Sequence, residues 1–277
     1  MNNELRIALV QLDAQLMDKD YNIKKALYLA QTSKQADIIC FPELFTTGYN
    51  LDLIGDRFYE LAETIPGETT ERMGRFAKEF QSAIIGSIVE RHPLHEEILY
   101  NTAFIINKDG ELIGKYRKYH LYPSEYKYFN PGTTASVFNI NSVKIGISIC
   151  YDHAFPELFR LLTLKGAQLI FILSAVPKGY EYLLNLRAKA RAQDNQIFIA
   201  HVNRVGKEGE IEYCGLSKVV NPRGETLVEA SETEEEVINV NINFLLNSQQ
   251  KRQERILKSL RPELYEQLLH EFHSTTR

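Results

Sequence analysis

The chain predicts an α/β fold in one domain, with mixed β-sheets and helices on their outer faces. Three observations carry this expectation. Strand-like and helix-like segments interleave along all 277 residues, the pattern of sheets covered by helices. Residues 37–41 form a short, continuous apolar run, which suits a strand covered on both faces. Tight-turn signals at Asp109-Gly110 and Asn141-Ser142 join consecutive strands, so antiparallel pairs must sit beside parallel ones. No internal repeat, low-complexity linker or composition break divides residues 1–277, and a charged helical tail is expected from about 244. Periodicity leaves open whether the strands make one sheet or two.

Taken in order, residues 5–12 read as a first strand. Residues 20–33 have helical spacing, with Ile23, Leu27 and Ala30 on one face. The strand at 37–41 leads into a loop over 42–49, and 68–80 is the next helix. Strands follow at 83–90, 101–107 and 111–116, then an irregular, aromatic-rich stretch to Pro131. Residues 135–140 and 143–149 form a hairpin. The segments 155–164, 168–173, 181–195 and 197–202 read helix, strand, helix, strand. Residues 213–220, 226–230 and 235–240 close the pattern as strands, with a turn at Pro222-Arg223-Gly224.

Composition bounds the function. Hydrophobic residues make up 44% and charged residues 25%, the balance of a soluble globular protein. A net charge of −4 gives no general attraction to nucleic acid. No apolar run approaches the ~18–20 residues of a membrane span, so no membrane partner is expected. Cys40, Cys150 and Cys214 are too few and too scattered for a disulfide framework or a metal site. Met1-Asn2-Asn3-Glu4 runs straight into a strand, so no signal peptide is expected and a reducing cytoplasm is the default compartment.

Three predicted strands end on a reactive residue: Glu43 after 38–41, Lys118 after 111–116, and Cys150 after 143–149. Open α/β sheets place their sites at strand ends. A thiol at a strand-to-helix turn faces backbone N–H groups, which favour an anion and should lower its pKa. A carboxylate, an amine and a thiol together can perform acyl transfer. Glu43 would act as general base, Cys150 as nucleophile, and Lys118 would stabilise the oxyanion with the backbone N–H of Tyr151.

At these residues the chain resembles the nitrilase superfamily of carbon–nitrogen hydrolases. The resemblance runs over nearly the whole length. It includes Phe41-Pro42-Glu43, Tyr116-Arg117-Lys118-Tyr119-His120-Leu121, Pro131-Gly132, Gly146-Ile147-Ser148-Ile149-Cys150-Tyr151-Asp152, Phe155-Pro156-Glu157, Arg191-Ala192-Gln193-Asp194-Asn195 and Arg261-Pro262-Glu263-Leu264-Tyr265. The resemblance implies a four-layer α-β-β-α sandwich with two mixed sheets, a Glu43-Lys118-Cys150 triad, and a homodimer or higher homo-oligomer. It also implies a second glutamate before the Pro-Gly, matched by Glu125, that positions the substrate amide and the lysine. No metal or organic cofactor is implied, since the lysine supplies the positive charge.

Around the triad, Tyr49, Tyr122, Tyr126 and Tyr151 either line a pocket or pack in the core. His153 either lines the pocket or caps the helix, Ala175 is expected on the pocket wall, and Lys127 points inward or to solvent. His120 braces the loop behind Lys118, while Cys40 and Cys214 are read as structural. Arg187 and Arg191 share a helix face at i, i+4; either could receive a carboxylate, with structural salt bridges preferred for Arg191.

The expected reaction is hydrolysis of a small aliphatic amide or N-carbamoyl compound, releasing ammonia and a carboxylic acid through a thioester. Cys150-Tyr151-Asp152 is similar to the branch acting on ω-amides, whereas nitrilases more often carry Trp-Glu after the thiol. Carbamoyl-amino-acid enzymes usually place arginines just after the thiol, where this chain has His153-Ala154. A nitrilase is the alternative, and a non-catalytic binding or scaffold protein the alternative of another class.

Overall fold

The computed structural model describes residues 4–275, so the N-terminal reading at residues 1–3 and the last two residues of the tail lie outside it. Two six-stranded mixed sheets face each other. The first is built from β1 (Glu4–Gln11), β2 (Ile38–Cys40), β3 (Ala83–Arg91), β4 (Leu99–Ile106), β5 (Leu112–Arg117) and the late strand β14 (Glu236–Asn243), in the order β14-β1-β2-β3-β4-β5. The second takes β6 (Val137–Ile140), β7 (Val143–Ile149), β8 (Leu169–Leu173), β9 (Phe198–Val202), β12 (Lys218–Val220) and β13 (Thr226–Glu229), in the order β13-β12-β9-β8-β7-β6. Each centres on a parallel trio, β1-β2-β3 and β7-β8-β9, flanked by antiparallel strands. A two-residue ladder, β10 (Lys207–Glu208) and β11 (Ile211–Glu212), stands apart.

Strand alternation sorts the side chains. Leu5, Ile7 and Leu9 of β1 join Ile38, Cys40 and Ile85 in a core shared with Ile145, Ile147 and Ile149 of β7. Ala8 and Val10 turn the other way, with Ile39 and Ile84, onto α1 (Lys19–Ala30) and α4 (Glu68–Phe80) through Ile23, Ala26, Met73 and Phe76. The second sheet is covered by α5 (Pro156–Leu164) and α6 (Glu181–Asn195), which contribute Leu158, Phe159, Leu162, Ala188 and Ala192. The result is the four-layer α-β-β-α sandwich. Burying each large apolar side chain contributes about 1.5–3 kcal/mol.

Most predicted elements stand within a few residues of their observed bounds, and α4 and α6 match end to end. Asn141 and Ser142 both adopt positive φ (48° and 67°), as a two-residue hairpin turn demands. The short helices α2 (Leu51–Ile54) and α3 (Phe58–Leu61) were not foreseen, being too short to show a period. After β14 come α7 (Leu245–Gln253) and α8 (Pro262–Thr275). No helix among the described residues is long and apolar enough to cross a membrane.

One expectation is overturned. Only Lys218–Val220 of the segment 213–220 is a strand. Gly215 and Leu216 take φ of 55° and 58°, which breaks the extended path. Gly215 N–H bonds Arg204 O and Leu216 N–H bonds Ser231 O, so the chain folds inward and brings Tyr213 to the site. A Cβ on Gly215 would lie 2.5 Å from Ser231 O and 2.9 Å from Gln11 Nε2, whereas one on Gly179 (φ 89°) would meet nothing within 4 Å. Gly215→Ala is therefore expected to lower the unfolding free energy by about 2 kcal/mol or more, and Gly179→Ala by only the ~1–2 kcal/mol of left-handed strain. Urea unfolding of both variants checks this; equal losses would show that the close approach is unimportant.

Candidate active site

Glu43, Lys118 and Glu125 come from three separate segments and meet in a buried cluster. Phe41 N–H continues the sheet by bonding Ile85 O at 2.9 Å, and the chain then turns at Glu43. Leu44 takes a positive φ of 45°, and its N–H is caught by Ser87 Oγ at 3.1 Å. Lys118 follows directly on β5. Its N–H bonds Asn101 O and its carbonyl accepts the N–H of Gly132, both at 2.8 Å. A Cβ on Gly132 would lie 2.3 Å from Arg117 O, so only glycine allows this approach. Glu125 sits on a single 3-10 turn, Pro123–Lys127.

Lys118 Nζ donates to Glu43 Oε1 at 2.8 Å and lies 2.8 Å from Glu125 Oε2. Asn101 Nδ2 donates to Glu43 Oε1 at 2.7 Å, and Tyr122 N–H to Glu125 Oε2 at 2.6 Å. Ser87 Oγ fixes the Asn101 amide by donating to its Oδ1 at 2.9 Å. Glu43 Oε2 is buried with no hydrogen-bond partner among the described residues.

Cys150 follows directly on β7 with a φ of +42°, a conformation non-glycine residues rarely hold. It is half-buried on the wall of a cavity of about 300 Å³. Asp152, fully buried, holds the turn in place. It accepts from Ile149 N–H at 2.9 Å, Tyr116 hydroxyl at 2.7 Å and His120 N–H at 2.8 Å, so it ties the Cys150 turn to the Lys118 loop. His120, stacked on Phe155 at 3.7 Å, braces that loop as expected.

The expected lowering of the thiol pKa does not hold. Cys150 opens a 3-10 turn, Cys150–Ala154, and α5 starts only at Pro156. Burial, joined by the Glu43 charge, raises the Cys150 pKa above the usual thiol range, against the pull of Lys118 and a backbone hydrogen bond from Ala175. Burial also raises Glu43, with Lys118 opposing it. Burial works against the Lys118 charge, but Glu125, Glu43 and the Cys150 sulfur outweigh it and hold the lysine protonated. The resting thiol is neutral, beside a carboxylate with one free oxygen.

The cavity is lined by Tyr49, Tyr122, Tyr151, His153 and Ala175, among others. The Tyr49 ring lies 5.8 Å from Lys118 Nζ, and Tyr122 meets Tyr151 edge-on at 5.2 Å. Tyr126 is a correction: it does not line the cavity and is 61% exposed. Successive side chains on a 3-10 turn point about 120° apart, so burying Glu125 sends Tyr126 outward. Lys127 is exposed too, its Nζ 5.0 Å from the Tyr128 ring centre. Arg191 is structural, donating to the carbonyls of His153 (3.2 Å) and Ala154 (3.4 Å). Cys40 is buried between the sheets and Cys214 is buried against Val176 and Leu184.

Sequence reasoning missed Asn101, Ser87, Asp152 and Glu208. Asn101 had a signal, a polar residue opening an apolar strand. Glu208 is buried on β10, takes the N–H groups of Tyr49 and Asn50, and pairs with Arg204 and the Tyr213 hydroxyl. Arg204 and Tyr213 stand only 4 and 5 residues from it, but Tyr49 and Asn50, which tie it to the site, lie 159 and 158 residues away. No group of three or more His, Cys, Asp or Glu among the described residues is placed to hold a metal ion.

A model of the family described as carbon-nitrogen hydrolase matches residues 6–251. A protein of Pyrococcus abyssi named nitrilase is 36% identical over 268 residues, covering 94% of this chain and 99% of that one. The omega-amidase of Homo sapiens is 32% identical over 277 residues, covering 94% and 96%. The crystal structure of Saccharomyces cerevisiae Nit3, a member of branch 10 of the nitrilase superfamily, superposes with a TM-score of 0.83 at 29% identity, covering 91% of this chain and 94% of that one.

His153 yields a pH prediction. Burial, followed by the charges of Arg187, Lys118 and Arg191, pushes it down to about 3 from an ordinary 6.5. The unfolded chain then binds a proton that the folded chain refuses, so this stability is present above pH 6.5 and is lost as pH falls toward 3. His153→Gln is expected to flatten the decline in urea midpoint over that window. An unchanged slope would remove His153 as a source of acid lability.

Proposed function

Because the chain belongs to the carbon–nitrogen hydrolase family, we propose that it hydrolyses a small aliphatic amide or N-carbamoyl compound through a thioester on Cys150. One observation carries the reading: Lys118 is clamped between Glu43 and Glu125 at hydrogen-bond distance, with the Cys150 sulfur in the same electrostatic field. Amidases among the relatives support the amide branch.

The raised thiol pKa sets the order of events. Cys150 Sγ attacks the carbonyl carbon as its proton passes to Glu43, whose Oε2 is free to take it. The tetrahedral oxyanion forms against the Lys118 ammonium and the backbone N–H of Tyr151. Glu43 then delivers its proton to the departing nitrogen, ammonia leaves, and a thioester remains. Water attacks that thioester as Glu43 accepts a proton, and collapse returns the proton to sulfur and frees the acid. Glu125 keeps Lys118 pointed at the oxyanion and accepts a hydrogen bond from the substrate amide. A nitrile is the second reading, favoured by the Pyrococcus abyssi relative; the same thiol would add to the nitrile carbon.

The whole chain serves as one catalytic domain with α7 and α8 as its tail. Exposed Leu161, Leu164 and Leu186 on α5 and α6 support a homodimer, and three free cysteines suit a reducing cytoplasm.

Cys150→Ala is expected to abolish ammonia release from primary amides, and Glu43→Gln to lower kcat by about 10²–10⁴-fold. Lys118→Met should lower it by about 10²–10³-fold. In wild type, mass spectrometry should find the acyl group on Cys150 and on neither Cys40 nor Cys214. Turnover that survives Cys150→Ala sinks the covalent mechanism, and turnover of nitriles without amides replaces the amide branch. With Glu43 needed as carboxylate and its pKa raised, kcat/KM is expected to fall on the acid side at a pH above the ordinary carboxylate value of 4.5; an acid limb at or below that value would contradict Glu43 as base.

A further inference from the structure

The cavity beside Cys150 has a charged wall that amide hydrolysis leaves unused. Arg187, on α6 one turn before Arg191, lines it together with Tyr180, Leu183 and His153. Arg191 is engaged with two carbonyls and with Asp194 at 3.7 Å. Arg187 has no ion pair or hydrogen bond among the described residues, although it is half-buried. Its charge is felt at His153, which is only 4% exposed and whose Nδ1 is buried with no partner. An unpaired guanidinium on a cavity wall calls for an acceptor from outside the protein. Asp52, the acidic residue on the lining, is exposed on α2 and makes no ion pair with Arg187.

We propose that Arg187, with His153 beside it on the cavity wall, forms an anion subsite, and that the substrate is a small amide or carbamoyl compound bearing a carboxylate at the end away from the scissile carbon–nitrogen bond. This rests on the reading of Cys150 as nucleophile. The guanidinium is charged at every working pH and its fork fits a carboxylate with two parallel hydrogen bonds. The cavity of about 300 Å³ stands at the small end of the ~300–1,000 Å³ seen for ligand pockets, so the acid group and the amide must be joined by a short chain.

Two substrate pairs test this: succinamate against butyramide, and N-carbamoyl-β-alanine against propylurea. In wild type the acidic member of the pair that is turned over should have the higher kcat/KM. Arg187→Met is expected to lower that value by about 10- to 100-fold, mainly through KM, while the neutral member changes less than about threefold. Arg187→Lys should recover part of the loss. Equal losses for both members, or a wild-type preference for the neutral one, would overturn the subsite. Which pair reacts distinguishes an ω-amide from a carbamoyl amino acid. If neither pair reacts, the amide reading fails on its own, and calorimetry on Cys150→Ala still decides the subsite. Succinate should then bind at least about tenfold more tightly than butyramide, and Arg187→Met should erase the difference. Succinate that binds no better than butyramide would overturn it.

Discussion

Everything at this site depends on one buried ammonium held between two carboxylates. Lys118 is fully enclosed, and so are Glu43 and Glu125. A buried pair gains little over an apolar core once desolvation is counted, and removing one partner strands a charge. Here two carboxylates share one cation, so with both ionised the cluster carries net negative charge. That excess has visible effects: the pKa values of Glu43, Tyr49 and Cys150 all move up, burial acting first and the carboxylates adding to it. The nucleophile is thus protonated at rest, its reactivity created only when substrate arrives and Glu43 takes the proton.

Holding that cluster together is the task of the sandwich. Glu43 and Lys118 leave the first sheet after β2 and β5, while Cys150 leaves the second after β7. Two packed sheets stand about 10 Å apart, and the core of Leu9, Cys40, Ile85, Ile147 and Ile149 fixes that spacing next to the site. Asp152 then ties the sheets together where the core ends, with Ile149 N–H from one side and Tyr116 and His120 from the other. A cavity opened in the inter-sheet core would therefore act on both stability and geometry, because the same contacts set the distance between thiol and carboxylate.

The sequence made the strand ends legible because a reactive residue after an apolar run is a local feature. Glu43, Lys118 and Cys150 are found where such runs stop or in the turn just beyond, whereas Glu125 was reached only through the family resemblance, by its place before Pro131-Gly132. Ser87 was not legible and Asn101 and Glu208 only in part, because what they do at the site depends on distant partners: Ser87 and Asn101 on each other 14 residues apart, Asn101 on Glu43 58 residues away, and Glu208 on Asn50 158 residues away. Tyr126 was misread for a related reason: adjacency to Glu125 in sequence says nothing about which way a 3-10 turn sends its neighbour. The break at Gly215 escaped because Tyr213-Cys214-Gly215-Leu216 looks apolar and extended, and only contact with Ser231 and Gln11 forces the bend. The thiol pKa went astray by weighing one local field, the helix end, without the burial and the carboxylate that outweigh it.

The charges also give the cavity a direction. The Glu43-Lys118-Glu125 cluster lies behind the cavity wall with its excess negative charge felt at Cys150, and the wall itself holds Arg187 beside a neutral His153. An anionic group is repelled by that cluster and drawn to Arg187, so on the reading argued here a substrate with one carboxylate and one amide enters in a single sense. Its neutral amide then lies at Cys150 and its charge at α6. The reverse sense would place a carboxylate against two buried glutamates, a like-charge contact in a medium that screens poorly. Orientation of the substrate thus follows from the same imbalance of charge that keeps the thiol protonated.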